Sequence, residues 1–263
     1  MNRYRISFAG AGNVASSLSI RMKEKGHIIN QIISRDSNKG TALARICNAQ
    51  WSDKPEFGLQ NDVIVIAVPD RSISSVLADL KCGDETIVVH TAGSYGLELF
   101  PSSVKRFGVF YPLQTFSEGR RIDFNKIPVF IESNDQESGM VLASLAESLG
   151  CRSMFSDTEH RRLLHVAAVF VSNFTNYMLT SGGLISERAG FSHEVLKPLI
   201  NETINKAMEQ GPSQSQTGPA VRFDYNTLEK HLELLSFSPE LQTVYEEISR
   251  AIMNFYKQQA QDE

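Results

Sequence analysis

Apolar and polar positions along this chain change their period once. Up to about residue 155, short apolar runs alternate with amphipathic stretches; beyond that point the short runs stop. The segment 62–69, Asp-Val-Ile-Val-Ile-Ala-Val-Pro, is apolar throughout after its first residue. A strand at 63–68 with no polar face must be covered on both sides, as strands of parallel sheets are. Six further runs read as strands, over 5–9, 28–34, 86–90, 109–111, 129–132 and 152–155. Between them, helical periodicity predicts helices over 14–25, 39–46, 72–80, 96–99 and 137–149. Alternation of this kind predicts an α/β fold with a doubly wound, mostly parallel sheet.

After Asp157 the pattern is helical only. One long helix is expected over 160–185, with Gly182-Gly183 ending or kinking it, and the pattern continues through 187–190. Further helices are expected over 195–210, 225–235 and 239–259, with a breaker-rich loop at 210–219. Ser238 supplies an N-cap and Pro239 fills the first helical position, where no N–H is needed. The expected organisation is therefore an α/β domain over 1–155 and an all-helical domain over 156–263.

Composition narrows the function more than the fold. At about 150 residues per domain, 263 residues suit two domains, and 41% apolar with 21% charged residues suits a globular, soluble chain. Twenty-six basic against 30 acidic residues give a net charge of -4, which argues against a nucleic-acid partner. Cys47, Cys82 and Cys151 are scattered and form no CxxC pair, so neither a disulfide framework nor a metal site is expected. Arg3 and Arg5 precede an apolar stretch that meets Gly10 after four residues, too short for a signal segment. The runs 63–68 and 166–171 are far below the ~20 residues that span a bilayer. No membrane partner is expected, and the location is read as cytoplasmic.

The sharpest motif is Gly10-Ala-Gly12-Asn13-Val14-Ala15, directly after the first strand and before the first helix. In this GxGxxA pattern Gly10 permits the tight turn, Gly12 lets backbone approach a pyrophosphate, and Ala15 lets helix and strand pack closely. The anion sits on the free N–H groups at the helix start, here those of Gly12, Asn13 and Val14. The sheet is thus of the Rossmann type. The second strand ends in Ser34-Arg35, where dinucleotide-binding sheets that take NAD place an acid. A hydroxyl and a guanidinium suit a 2′-phosphate, so the expected cofactor is NADP. Asp36, one residue on, is read as the cap of the next helix. Ligands of such sheets bind at the carboxyl ends of strands, which adds Val68-Pro69 and Thr91-Ala92-Gly93 as cofactor contacts; Gln114 and Thr115 are expected to face the same cleft.

These segments, with Tyr111-Pro-Leu-Gln-Thr-Phe116, His165, Ser172-Asn173, Thr217-Gly-Pro219, Arg222, Asp224 and His231, resemble the Rossmann-like proteins that carry a DUF2520 C-terminal domain. That group is similar to pyrroline-5-carboxylate reductases, 6-phosphogluconate dehydrogenase-like proteins and F420-dependent NADP reductases. The resemblance implies an NADP-binding domain and a helical domain that forms a homodimer. It implies no substrate. One departure is Phe223, which stands where a Gly is frequent between Arg and Asp.

In the related β-hydroxyacid dehydrogenases a Lys and an Asn on the first helix after the sheet act on the substrate, and this chain has no Lys there. At about 100° per residue, with His165 at zero, Ser172 falls near about 340°, Asn176 near 20° and Asn173 near 80°. Phe170, Val171, Phe174 and Met178 occupy the opposite half. The polar stripe is the expected wall of a substrate cleft between the domains. His165 is the candidate proton donor to a small carbonyl or imine and Asn173 the candidate orienting group; a cap or a bond to the adjoining domain is the alternative for each. Arg222 either binds a substrate carboxylate or pairs with Asp224, itself an N-cap candidate; His231 is expected at an interface and His90 as packing or lining the cleft rather than as an acid–base. The expected activity is an NADP(H)-dependent reductase. The alternatives are a non-catalytic NADP-binding or sensing protein and a hydride exchanger between NADP and a deazaflavin.

Overall fold

The computed structural model describes residues 2–58 and 60–262 and divides into two compact units, Met1–Asn173 and Phe174–Glu263. The first is built on an eight-stranded sheet: β1 (Arg5–Ala9), β2 (Ile28–Ile33), β3 (Gln50–Ser52), β4 (Val63–Ile66), β5 (Ile87–His90), β6 (Arg106–Pro112), β7 (Pro128–Ser133) and β8 (Arg152–Phe155). Their spatial order is β3-β2-β1-β4-β5-β6-β7-β8. All neighbours are parallel except β6 and β7. The order reverses beside β1, which places the crevice at the carboxyl ends of β1 and β4.

The uninterrupted apolar run of β4 has a direct cause. Val63 and Val65 enter one hydrophobic cluster, Ile64 and Ile66 the other. Helices α1 (Asn13–Glu24), α2 (Ser37–Cys47) and α4 (Gln136–Ser148) cover the first face through Leu18, Leu43 and Leu142. The short α3 (Ile73–Ala78) covers the second through Ile73 and Leu77. The segment 96–99, expected as a helix, forms only a 3-10 turn at Leu97–Leu99, and 72–80 opens with another at Asp70–Ser72. β3 was not expected. It is a three-residue edge strand, too short to show a period.

The long helix exists but differs in detail. It runs as α5 (Thr158–Ala168), a π-helical segment Val169–Phe174 and α6 (Thr175–Arg188). Gly182 and Gly183 do not end it. A Cβ on Gly182 would lie 3.6 Å from Leu196 and one on Gly183 3.5 Å from His193, ordinary packing distances to the 3-10 turn His193–Leu196. The helix stops instead at Gly190, whose φ of 85° no continuing helix tolerates. The β signal ends near 155 as expected, yet the division between units falls after Asn173, because α5 is fastened to the sheet by side chains described below.

The second unit holds α6, α7 (Lys197–Gln210), α8 (Pro212–Ser215) inside the expected loop, α9 (Tyr225–Leu234) and α10 (Pro239–Asp262). Asp224 caps α9 by accepting from Thr227 N–H at 3.2 Å, and His231 bonds the Tyr245 hydroxyl at 2.7 Å. Phe223 takes a left-handed backbone, φ 55°. The unit buries little: α7 has no buried residue, with Leu199 at 65% and Met208 at 79% exposure.

Candidate functional site

β1 delivers the chain into a tight turn. Gly10 has φ 122°, and a Cβ there would lie 2.2 Å from the Ala67 carbonyl oxygen, so only Gly fits between β1 and β4. Gly12 is the N-cap of α1 and faces open space. It provides no side-chain cap, whereas Asp36, Asp135, Asp157 and Asp224 cap α2, α4, α5 and α9 through their carboxylates. The first-turn N–H groups of α1 are thus left for an external acceptor. Ala15 is fully buried and Val14 packs partly against the core, so these two contribute backbone, not side chain. Asn13 donates to the Phe116 carbonyl at 3.0 Å, which draws the loop after β6 against the start of α1.

A cleft of about 480 Å³ opens beside this turn and is lined by Gly10, Gly12, Ser34, Arg35, Val68 and Pro69, with Lys39 and three carboxylates, Asp36, Asp53 and Asp79. Arg35 is exposed and makes no hydrogen bond or ion pair among the described residues. Lys39 meets Glu118 at 3.9 Å. Asp36 is occupied as the cap, accepting from Lys39 N–H at 3.0 Å. The Ser34 hydroxyl is also engaged: it donates to the Asp36 carbonyl at 2.8 Å and accepts from Trp51 Nε1 at 3.1 Å. Its donor is therefore not available to a phosphate, unlike those of Arg35 and Lys39. Gln114 and Thr115 sit exposed on their loop and do not line this cleft. An unfilled helix N-terminus, a Gly turn that no Cβ could enter and an unpaired guanidinium together fit a dinucleotide phosphate set.

A second cluster forms at the end of β5. Thr91 is half-buried, and Ala92 and Gly93 are buried. A Cβ on Gly93 would lie 2.6 Å from His165 Nδ1 and 2.8 Å from Tyr111 Cζ, so both rings press on the Gly93 backbone. The Tyr111 hydroxyl lies 2.9 Å from His165 Nδ1. Burial pushes the Tyr111 phenol above its ordinary range. His90, by contrast, is fully buried, bonded to the Gly96 carbonyl and the Ala92 N–H, and held down to about 4 by burial. It stays neutral and packs, the first of the two roles expected for it.

What brings His165 here is one turn earlier. Arg161 is fully buried and bonds Glu132 and, at 2.5 Å, the Tyr95 carbonyl. Thr158 donates to both Glu132 oxygens at 2.9 Å. Arg162 Nε donates to the Ser94 carbonyl at 2.8 Å. Arg161 did not stand out in the sequence, and Tyr111 entered only as the first residue of the 111–116 segment that carries the family resemblance, with no role assigned to it. Asn173 lies on the π segment, exposed and eight residues farther along the helix than His165. No hydrogen bond joins it to His165. The wider turn of the π segment also breaks the angular count on which the polar stripe rested, and Phe170, Val171 and Phe174 are exposed at 62%, 76% and 50%. Arg222 makes no ion pair with Asp224, although its charge helps Thr227 hold that carboxyl below its ordinary range. Among the described residues there is no cluster able to hold a metal and no helix long and apolar enough to cross a membrane.

Residues 5–93 match the family described as NADP oxidoreductase coenzyme F420-dependent, and residues 127–252 match DUF2520, a domain of unknown function. Among solved structures, a "putative NADP oxidoreductase" from Bacteroides fragilis is 34% identical over 96% of this chain and 98% of that one, with a TM-score of 0.86. A reductive aminase from Aspergillus terreus, in complex with NADPH and ethyl-5-oxohexanoate, is 11% identical over 96% of this chain and 94% of that one, with a TM-score of 0.73. A pyrroline-5-carboxylate reductase from Streptococcus pyogenes is 12% identical over 97% of this chain and all of that one (100%), with a TM-score of 0.63. The last two likenesses concern the fold alone. No curated protein matches the chain.

Proposed function

The chain belongs to the same family as the Bacteroides fragilis protein, NADP oxidoreductases with an F420-dependent-type N-terminal region and a DUF2520 region, and from that premise we propose that it reduces a small carbonyl or imine with NADPH. The observation that carries the reading is the Tyr111–His165 pair packed on Gly93, in the same compact unit as the uncapped phosphate turn. Gly12, Asn13 and Val14 would hold the pyrophosphate through their N–H groups, and Arg35 with Lys39 the 2′-phosphate. Val68, Pro69, Thr91 and Ala92 would line the path toward Gly93. NADPH supplies a hydride when bound. His165 carries the proton that the reduced oxygen or nitrogen needs. Asn173 is proposed only as a lining group, since nothing ties it to His165.

The test is loss of NADPH absorbance over a panel of small ketoacids, aldehydes and cyclic imines. Turnover that falls at least tenfold in His165→Ala supports the reading. Tight NADPH binding with no turnover on any of them refutes it and favours a sensing role. The family description favours one second reading, hydride exchange with a deazaflavin, and a deazaflavin arm in the same assay decides it.

The helical unit is proposed to form a homodimer. Its support is the exposed apolar set Leu184, Phe191, Val195, Leu199 and Met208.

A further inference from the structure

We infer that Tyr111 is a positioning residue that occupies His165 Nδ1 and so leaves Nε2 as the one ring nitrogen able to pass a proton to a substrate. This deepens the reading above and rests on it. Tyr111 stands at the carboxyl end of β6 with 8% of its surface exposed. Its ring meets the imidazole edge-on, centroids 5.8 Å apart at 72°. Among the described residues its hydroxyl has one recorded partner, His165 Nδ1 at 2.9 Å.

A buried hydroxyl needs a partner for its hydrogen. Burial keeps the phenol protonated near neutrality, so with neutral imidazole the O–H donates to Nδ1 and the ring's own hydrogen must sit on Nε2. With imidazolium the roles exchange: Nδ1–H donates to the phenol oxygen and Nε2–H is still the outward proton. In both charge states one ring edge is committed to Tyr111. Gly93 closes a second side, since its backbone lies where any Cβ would come within 2.8 Å of His165 Cγ. The charges that act on the phenol are Arg161, from the same helix as His165, and Asp70, after β4, one of each sign. The hydrogen bond sets the tautomer.

The test is ¹⁵N-detected NMR of His165 in the intact protein, at a pH where the ring is neutral, for the wild type and Tyr111→Phe. The Nε2–H tautomer should dominate by about tenfold in the wild type, the ratio one ordinary hydrogen bond sustains, and the preference should collapse in Tyr111→Phe. An Nδ1–H tautomer in the wild type overturns the inference, and so do equal tautomer ratios in the two proteins. Should the variant fail to fold, the wild-type spectrum decides alone. A parallel assay with NADPH and 1-pyrroline separates the two ideas. Absence of turnover there and on the rest of the substrate panel counts against the reductase reading, while the spectrum still judges Tyr111. With turnover, Tyr111→Phe should lower kcat about tenfold and leave KM within twofold.

Discussion

Replacing Arg35 by Ala removes the one guanidinium at the cleft that has no partner of its own. A hydrogen bond to a charged group contributes about 1.5–3 kcal/mol net. Arg35 is exposed, so solvent screening sets the lower end, and about 1.5 kcal/mol is roughly tenfold in affinity. The Ser34 hydroxyl cannot compensate, because its hydrogen is held by the Asp36 carbonyl; Lys39 retains a point charge, which keeps the loss from growing further. NADH lacks the 2′-phosphate and should weaken less than about twofold. The chain offers its own reporter: its single tryptophan, Trp51, donates to Ser34 at the cleft wall, so its emission follows titration with either nucleotide. Equal losses for NADPH and NADH would refute the 2′-phosphate assignment. Asp36→Ala is the companion. As a cap it should cost about 1 kcal/mol of stability without weakening NADH, whereas a ribose-gripping Asp36 would lose NADH affinity in that variant.

Three further outcomes are expected. Glu132→Gln leaves the fully buried Arg161 without its counter-charge and should cost about 3–5 kcal/mol in urea unfolding; a loss under about 1 kcal/mol would show that the pair does not anchor α5. His90, at about 4 when folded against 6.5 as a free group, is protonated more readily unfolded than folded. Its neutral form therefore stabilises fully above pH 6.5, and about 3 kcal/mol is lost as pH falls from 6.5 to 4; wild-type and His90→Gln unfolding curves measured across that window should converge at low pH, and parallel curves would contradict the assignment. Light scattering after gel filtration should find a wild-type dimer that Leu199→Glu with Met208→Glu converts to monomer; a wild-type monomer at micromolar concentration would remove the dimer proposal.

The parts legible in the sequence are those fixed by local periodicity. β4 declared itself because both of its faces are buried, α2 and α9 because Asp36 and Asp224 stand at their starts, and the phosphate turn because only Gly fits beside Ala67. β3 escaped because three residues at a sheet edge carry no period. The π segment escaped because helical counting assumes a constant turn, and one wide turn at Val169–Phe174 rotates everything beyond it. Tyr111 and His165 are 54 positions apart, and their meeting depends on the order of β5 and β6 and on the docking of α5, none of which a local pattern encodes. Nothing in the local pattern around Arg161 marks it as buried, yet among the described residues it is the most deeply placed cation of the unit.

That buried cation explains why His165 can belong to the sheet although it lies past the end of the β signal. Arg161 and His165 are four residues apart, one helical turn, and so share a face of α5. Thr158 and Arg162 flank the same turn and bind Glu132 on β7 and the Ser94 carbonyl after β5. The helix is therefore registered against two strand ends immediately before the residue that meets Tyr111. A proton donor held by a loop would wander by more than the few tenths of an ångström that a 2.9 Å hydrogen bond tolerates. Fastening the helix one turn upstream removes that freedom, at the expense of burying a charge, and the placement of the charge is what ties the chemistry of the ring pair to the fold of the sheet.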